Sequence, residues 1–220
     1  MASFPPELSR RGFVLAFAAA SFVKLLPASA AALPREDVIV RGVRLKTNPR
    51  DGTFSLEEVE LRQGKDTFVS AKAATVLDQE NTLWDLKGSV HVEFRGAVMD
   101  SDSARLMFTD RELSTVHVLG TPARFSHRPP NSAGKQNLGR ANTIDYDAAT
   151  SKVRFSGDTW YSNGENIEVS SKTTMYTYDM KEGGLVSSPD ATGEGRTQLI
   201  IRPRQRVVPT PRTPDRSTSQ

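Results

Sequence analysis

Val90-His91-Val92-Glu93-Phe94-Arg95 alternates apolar and polar side chains, the period of an extended strand with one face in a core and the other in water. The same alternation recurs at Val116-His117-Val118, Val153-Arg154-Phe155 and Ile167-Glu168-Val169. Between Val38 and Ile201 no long window keeps an i, i+3, i+4, i+7 apolar stripe. The nearest approach, Ser55 to Gln63, alternates as well as it spirals, so almost no helix is expected.

Polar turns punctuate these runs at a regular interval. Asp78, Asp110, Asp147 and Asp179 lie 32, 37 and 32 residues apart, and Gly88 and Gly120 are again 32 apart. Gly64, Gly96 and Gly164 precede Asp78, Asp110 and Asp179 by 14, 14 and 15 residues. Aspartate suits such places because its carboxylate bonds the turning backbone and the residue tolerates left-handed conformations. Val69 to Asp78 and Val169 to Asp179 read as copies of one hairpin-forming element. A period of this length signals units that bury their apolar faces against neighbours. The five extra residues of the middle interval fall in Ser126 to Gly134, the expected excursion loop. The reading is one elongated all-β domain over residues 38–202. Its end strands, near Val38-Ile39-Val40 and Leu199-Ile200-Ile201, are strongly apolar for edges and therefore candidates for pairing with another chain.

The 220-residue chain has a pI of about 9.3, a formal charge of +3 and no cysteine, which excludes a disulfide scaffold and a CxxC zinc site. The basic excess belongs to the two ends. Residues 1–30 carry Ser9-Arg10-Arg11-Gly12-Phe13-Val14-Leu15, an apolar run to Val23 and Ala28-Ser29-Ala30, the pattern of a cleavable signal peptide. The run is shorter than the roughly 20 residues a spanning helix needs. Both the general secretory (Sec) and the twin-arginine routes fit, and both lead to the periplasm. Residues 203–220 combine Pro203, Pro209, Pro211 and Pro214 with Arg204, Arg206, Arg212 and Arg216 and read as a disordered basic tail. Residues 31–201 hold 21 Lys and Arg against 24 Asp and Glu, so the folded part is slightly acidic and no nucleic-acid partner is expected.

Signatures of chemistry are sparse. His91, His117 and His127 lack metal-ligand spacing and are expected to be solvated, the last in the Pro-rich loop. There is no GxSxG elbow, Glu57-Glu58 and the Asp100, Asp102 pair suit solvent faces, and Gly183-Gly184 and Gly193-x-Gly195 read as turns. No catalytic residue, metal or cofactor is assigned. Counting by two instead gives an inward set: Val90, Val92 and Phe94; Ala104, Leu106 and Phe108; Val116 and Val118; Phe125; Ile144 and Tyr146; Val153 and Phe155; Ile167 and Val169. Tyr146 is its one polar member. Such a face is either an ordinary sandwich core or a trough left partly open for acyl chains.

Gly139-Arg140-Ala141-Asn142-Thr143-Ile144-Asp145-Tyr146-Asp147, Val153-Arg154-Phe155-Ser156-Gly157-Asp158, Asn166-Ile167 and Tyr178-Asp179 resemble the OstA-like repeat of the lipopolysaccharide-transport proteins. Gly193 to Pro203 resembles the last strand and basic tail of the family's periplasmic bridge. The resemblance implies a twisted β-jellyroll whose hydrophobic groove, lined by the inward set, carries the acyl chains of lipid A from the inner to the outer membrane. It implies docking of the N-terminal edge (Val38, Val40) onto the inner-membrane component LptC. The C-terminal edge (Leu199, Ile201) would dock onto the outer-membrane translocon LptD, with head-to-tail self-association of copies. The first strands, through Phe54 and Leu56 to Leu61, resemble LptC as much as the bridge. An LptC-like role and a structural β-repeat with a solid core are the alternatives, the latter predicting self-association without lipid.

Overall fold

The computed structural model of the chain describes residues 37–78, 80, 82–129, 135–188 and 195–202. The signal segment, the tail and Gly193 lie outside them. Among the described residues there is no helix, and thirteen strands form one antiparallel sheet that does not close on itself. Seven strands come first: β1 (Val38–Asn48), β2 (Thr53–Gln63), β3 (Thr67–Val76), β4 (Leu83–Phe94), β5 (Ala97–Thr109), β6 (Glu112–His127) and β7 (Asn137–Asp147). Each pairs with the next. Six shorter strands follow: β8 (Lys152–Ser156), β9 (Thr159–Ser162), β10 (Ile167–Ser171), β11 (Met175–Asp179), β12 (Leu185–Ser188) and β13 (Gln198–Ile201).

The short strands are halves of long ones. Residues 143–147 of β7 pair with β8, whereas 138–140 pair with β9. From β8 the sheet continues to β11 and β12, and from β9 to β10 and β13. The chain therefore crosses the same up-and-down meander throughout, and in its last crossings the strand breaks midway. Val69 to Asp78 is one continuous crossing, while its counterpart Val169 to Asp179 is β10 and β11 separated at Lys172–Thr174.

The break lies on a crease that runs through most of the sheet, the β2–β3 pair alone among the long pairs keeping an unshifted register. Register shifts fall between Arg41 and Val43, Ser70 and Ala73, Lys87 and Val90, Asp100 and Ser103, and Leu119 and Ala123, all at mid-strand. Each extra residue bends its strand and increases the local twist. At the centre Gly88 has φ +79° and Ser89 φ +49°, a left-handed pair that glycine initiates without a Cβ clash. The crease divides the sheet into an aspartate-side half, bounded by the turns at Asp78, Asp110, Asp147 and Asp179, and a glycine-side half, bounded by the turn at Arg95-Gly96.

The aspartates act as their spacing predicts. Oδ1 of Asp78 accepts the N–H groups of Thr82 (2.8 Å) and Leu83 (3.0 Å), that of Asp147 those of Ala149 (2.8 Å) and Thr150 (3.2 Å), and that of Asp179 those of Lys181 (2.9 Å) and Glu182 (3.1 Å). Asp110 differs. With Arg111 it forms a two-residue turn at φ +54° and +68°, the left-handed pair that matches hairpin twist.

The two halves meet face to face. Phe94 of the glycine side packs on Tyr146 of the aspartate side (centroids 5.1 Å), Phe125 on Phe155 (5.3 Å) and Tyr178 (5.7 Å), and Tyr161 on Tyr178 (5.8 Å). The interior they enclose is filled: Val90, Val92, Leu106, Val118, Ile144 and Phe155 are at most 1% exposed. Each such side chain contributes about 1.5–3 kcal/mol relative to exposure. One expectation fails at its boundary. Ser126 and His127 are not in a loop but end β6, paired with Leu138 and Asn137.

Candidate functional site

The inward set lies on the face that the two halves share. Val90, Val92, Phe94, Leu106, Phe108, Val118, Phe125, Ile144, Tyr146, Phe155 and Val169 are all buried, as are Ala104, Val116 and Val153. Ile167 departs from them at 37% exposure. Its cross-strand neighbour is Ile201 on the strand β13, with no further strand beyond to cover the pair among the described residues.

Opposite the crease the aspartate-side and glycine-side turns approach each other along a seam. Near the N-terminal end the seam widens into a cavity of about 670 Å³ lined by Val38, Val40, Phe54, Trp84 and Phe108, with Asp37, Glu80, Thr82 and Arg111 at its rim. Phe54 and Trp84 meet edge to face there at 5.6 Å. The Gln63 side chain bridges the seam by donating to the Arg111 carbonyl. Further along lies a second cavity of about 690 Å³, lined by Arg95, His127, Asn137, Tyr146, Ser151 and Met180 among others. Both openings mix apolar and polar lining, and packed interior lies between them.

His127 and Asn137 of the second cavity belong to a buried polar cluster that the sequence did not reveal. Tyr161 donates to Asn137 Oδ1 (3.0 Å), and Asn137 Nδ2 donates to the Tyr178 oxygen (2.7 Å). The Tyr178 oxygen lies 2.8 Å from His127 Nδ1. Tyr178 has one proton to give and His127 Nδ1 is the acceptor within reach, so the imidazole carries its proton on Nε2. All four side chains are buried, which corrects the expectation that His127 is solvated and that Tyr146 is the only polar inward residue. Counting by two from Ala123 through Phe125 reaches His127, and from Ala141 through Gly139 reaches Asn137. The signal was present, masked by Pro129-Pro130 and by the small size of the inward neighbours.

Burial holds His127 below the ordinary histidine pKa, and pushes the Tyr146, Tyr161 and Tyr178 hydroxyls above the ordinary tyrosine value. His91 behaves oppositely. Burial alone would lower it, but bonds to Asp100 (2.6 Å) and Glu93 (3.0 Å) outweigh that and raise it. The linkage signs follow. Below about pH 6.5 the unfolded chain takes up a proton that folded His127 refuses, so His127 erodes stability as pH falls toward its lowered value. The His91 contribution is fully present below about pH 6.5 and is lost as pH rises through its raised value. His127→Gln is expected to flatten the loss of melting temperature between pH 7.5 and pH 5, and His91→Gln to steepen it. Thermal melts across that range check both, and identical slopes in wild type and His127→Gln would refute the assignment.

At the sheet ends, β1, β12 and β13 each have one strand neighbour among the described residues, making three edges where two were expected. Val38 and Val40 are half-buried against the core, and Val40 is opposite buried Leu61. Leu199 and Ile201 are 55% and 64% exposed and lie opposite Val169 and Ile167. The inner apolar rows therefore run out to both ends of the glycine-side half. Val186 on β12, 65% exposed, marks the edge that the sequence reading missed.

No protein-family model and no curated protein sequence matches the chain. Among solved structures it is similar to LptH of Pseudomonas aeruginosa, described as the LptA-homologous periplasmic component of the conserved lipopolysaccharide transport device. The identity is 14%, the match covers 76% of this chain and 96% of that one, and the TM-score is 0.50. At that identity the likeness speaks for the fold: the creased, unclosed antiparallel meander is the LptA-like β-jellyroll that the OstA-like sequence elements imply.

Proposed function

We propose that the chain is a periplasmic lipopolysaccharide carrier, without enzymatic activity, that shelters acyl chains of lipid A between its two half-sheets. The observation that carries this reading is the continuous apolar inner face of an unclosed sheet, reached from outside through the cavity at Val38, Phe54, Trp84 and Phe108. Acyl chains need dispersion contacts and exclusion of water rather than specific polar partners, which this lining offers. Because the interior is filled, entry requires the halves to part along the seam bridged by Gln63 and Arg111. The polar cluster at the second cavity is bonded within itself through His127, Tyr178, Asn137 and Tyr161, which favours a packing role over an acid–base one.

In this reading the β1 edge at Val38 and Val40 accepts LptC, the β13 edge at Leu199 and Ile201 accepts LptD, and copies associate head to tail. The filled interior also suits a second reading, a structural repeat that polymerises through its edges without lipid. A photo-crosslinking residue at Phe54, Phe108 or Phe155 separates the two. The carrier gives lipopolysaccharide adducts, strongest at Phe54 and Phe108 beside the N-terminal opening. Folded protein with no adduct at any of the three positions supports the structural repeat and sinks the carrier.

A further inference from the structure

On the outward face of the sheet several cations stand beside carboxylates across strands, whereas Arg124 and Arg140 meet arginine to arginine. Arg105 lies 3.7 Å from its neighbour Asp85, His117 Nδ1 lies 2.5 Å from Asp145, and His91 Nδ1 lies 2.6 Å from Asp100. In the glycine-side half the same row continues from Asp100 to Arg124, then to Arg140, Trp160 and Ser170. Arg124 and Arg140 are directly opposed, both exposed, and neither forms an ion pair among the described residues. Like charges directly opposite on a sheet are destabilising, so the pair stands out against the complementary pairs around it. Asp100, the nearest carboxylate in the row, is engaged by His91.

Trp160 completes the arrangement. The Arg140 guanidinium sits over its ring at 5.3 Å, and the two residues line two shallow cavities of about 440 and 460 Å³. Arg124 lines one of these, and Lys172 and Arg196 line the other. Four cations thus surround a half-buried indole, with Asp100 and Asp158 as the carboxylates in the two linings. Guanidinium forks match a phosphate bidentately, and an indole offers an apolar platform for a ring.

We propose that this outward face is a binding site for a phosphorylated sugar, with the phosphate held between Arg124 and Arg140 and the sugar ring resting on Trp160. It is separate from the inner face, and its test does not depend on lipid entering there. The chain has two tryptophans, and Trp84 is buried in the other half, so the two indole N–H resonances of the ¹⁵N-labelled full-length protein give a probe and an internal control. Titration with N-acetylglucosamine 6-phosphate is expected to shift Trp160 and leave Trp84 in place. Binding is expected to weaken roughly tenfold, the effect of losing one charge-assisted bidentate contact, in Arg124→Gln and in Arg140→Gln, with the Trp84 resonance reporting that each variant is folded. N-acetylglucosamine alone and inorganic phosphate alone should each bind about tenfold more weakly than the phosphorylated sugar. An unmoved Trp160, equal shifts with any of the three probes, or indifference to both arginine substitutions overturns the proposal. A polyglutamate peptide that shifts Trp160 where the sugar phosphate does not would also overturn it, in favour of an acidic protein partner.

Discussion

Phe155→Ala is expected to lower the free energy of unfolding by about 3–5 kcal/mol, a large part of the 5–15 kcal/mol typical of a domain. The ring is 1% exposed and belongs to β8 on the aspartate side, yet it ends against the backbone of β7 on the glycine side. A methyl group built on Gly139 would lie 2.6 Å from Phe155 Cε1, closer than carbon atoms approach. Gly139 is also opposite Phe125, whose ring meets that of Phe155 edge to face. The separation of the two halves is therefore set here by a phenylalanine lying on a glycine. Gly139→Ala alone overpacks the contact and should cost about 1–3 kcal/mol. In the double variant the new methyl enters the space the ring has left, so the two losses should fall short of their sum by about 0.5–3 kcal/mol. Chemical denaturation of wild type, both single variants and the double variant closes this cycle, and strict additivity would show that the two residues do not set the spacing.

That pair also shows what the sequence made legible. Gly139 and Phe155 both stand in the segments that carry the OstA-like resemblance, and the alternation around Phe155 places it inward without reference to coordinates. Gly139 falls out of phase with Ile144 and Tyr146 and is inward only because the strand shifts phase between Ala141 and Ile144. Alternation and turn chemistry are local, so the strands, the aspartate turns and most of the inner face could be read directly. The crease could not. Gly88 and Gly120 announced a beat, but a register shift is a property of two strands, and its place depends on which residues the partner offers. The same limit hid the opposition of Arg124 and Arg140, because their register follows the irregularity between Leu119 and Ala123. His127 was misread for a different reason. Nearby prolines outweighed a period that continued unbroken through Ala123 and Phe125, and a polar side chain at an inward position becomes plausible only once Tyr178 and Asn137 are there to bond it.

Val40→Asp and Leu199→Asp are each expected to weaken head-to-tail association by a factor on the order of a hundred or more, since each buries an unpaired carboxylate in an apolar row at the junction. Leu199 extends the row that Val169 begins, and Val40 extends the row of Leu61. Joining the β13 edge of one copy to the β1 edge of another would therefore run the inner lining from Val169 through Leu199 and Val40 to Leu61 without a polar gap. Such a contact is heterologous: each copy uses one edge to give and the other to receive, so growth is open-ended unless an edge is blocked. Sedimentation velocity should show wild type growing with concentration and each variant alone remaining monomeric. The decisive sample is the mixture. Val40→Asp keeps an intact β13 edge and Leu199→Asp an intact β1 edge, so together they should form a one-to-one dimer whose outer edges both carry aspartate and which stops there. Because each protomer keeps one working edge, a dimer in the mixture also shows that neither substitution unfolded the protein. A mixture that stays monomeric, or one that grows past the dimer, would mean that the copies do not meet through these two edges.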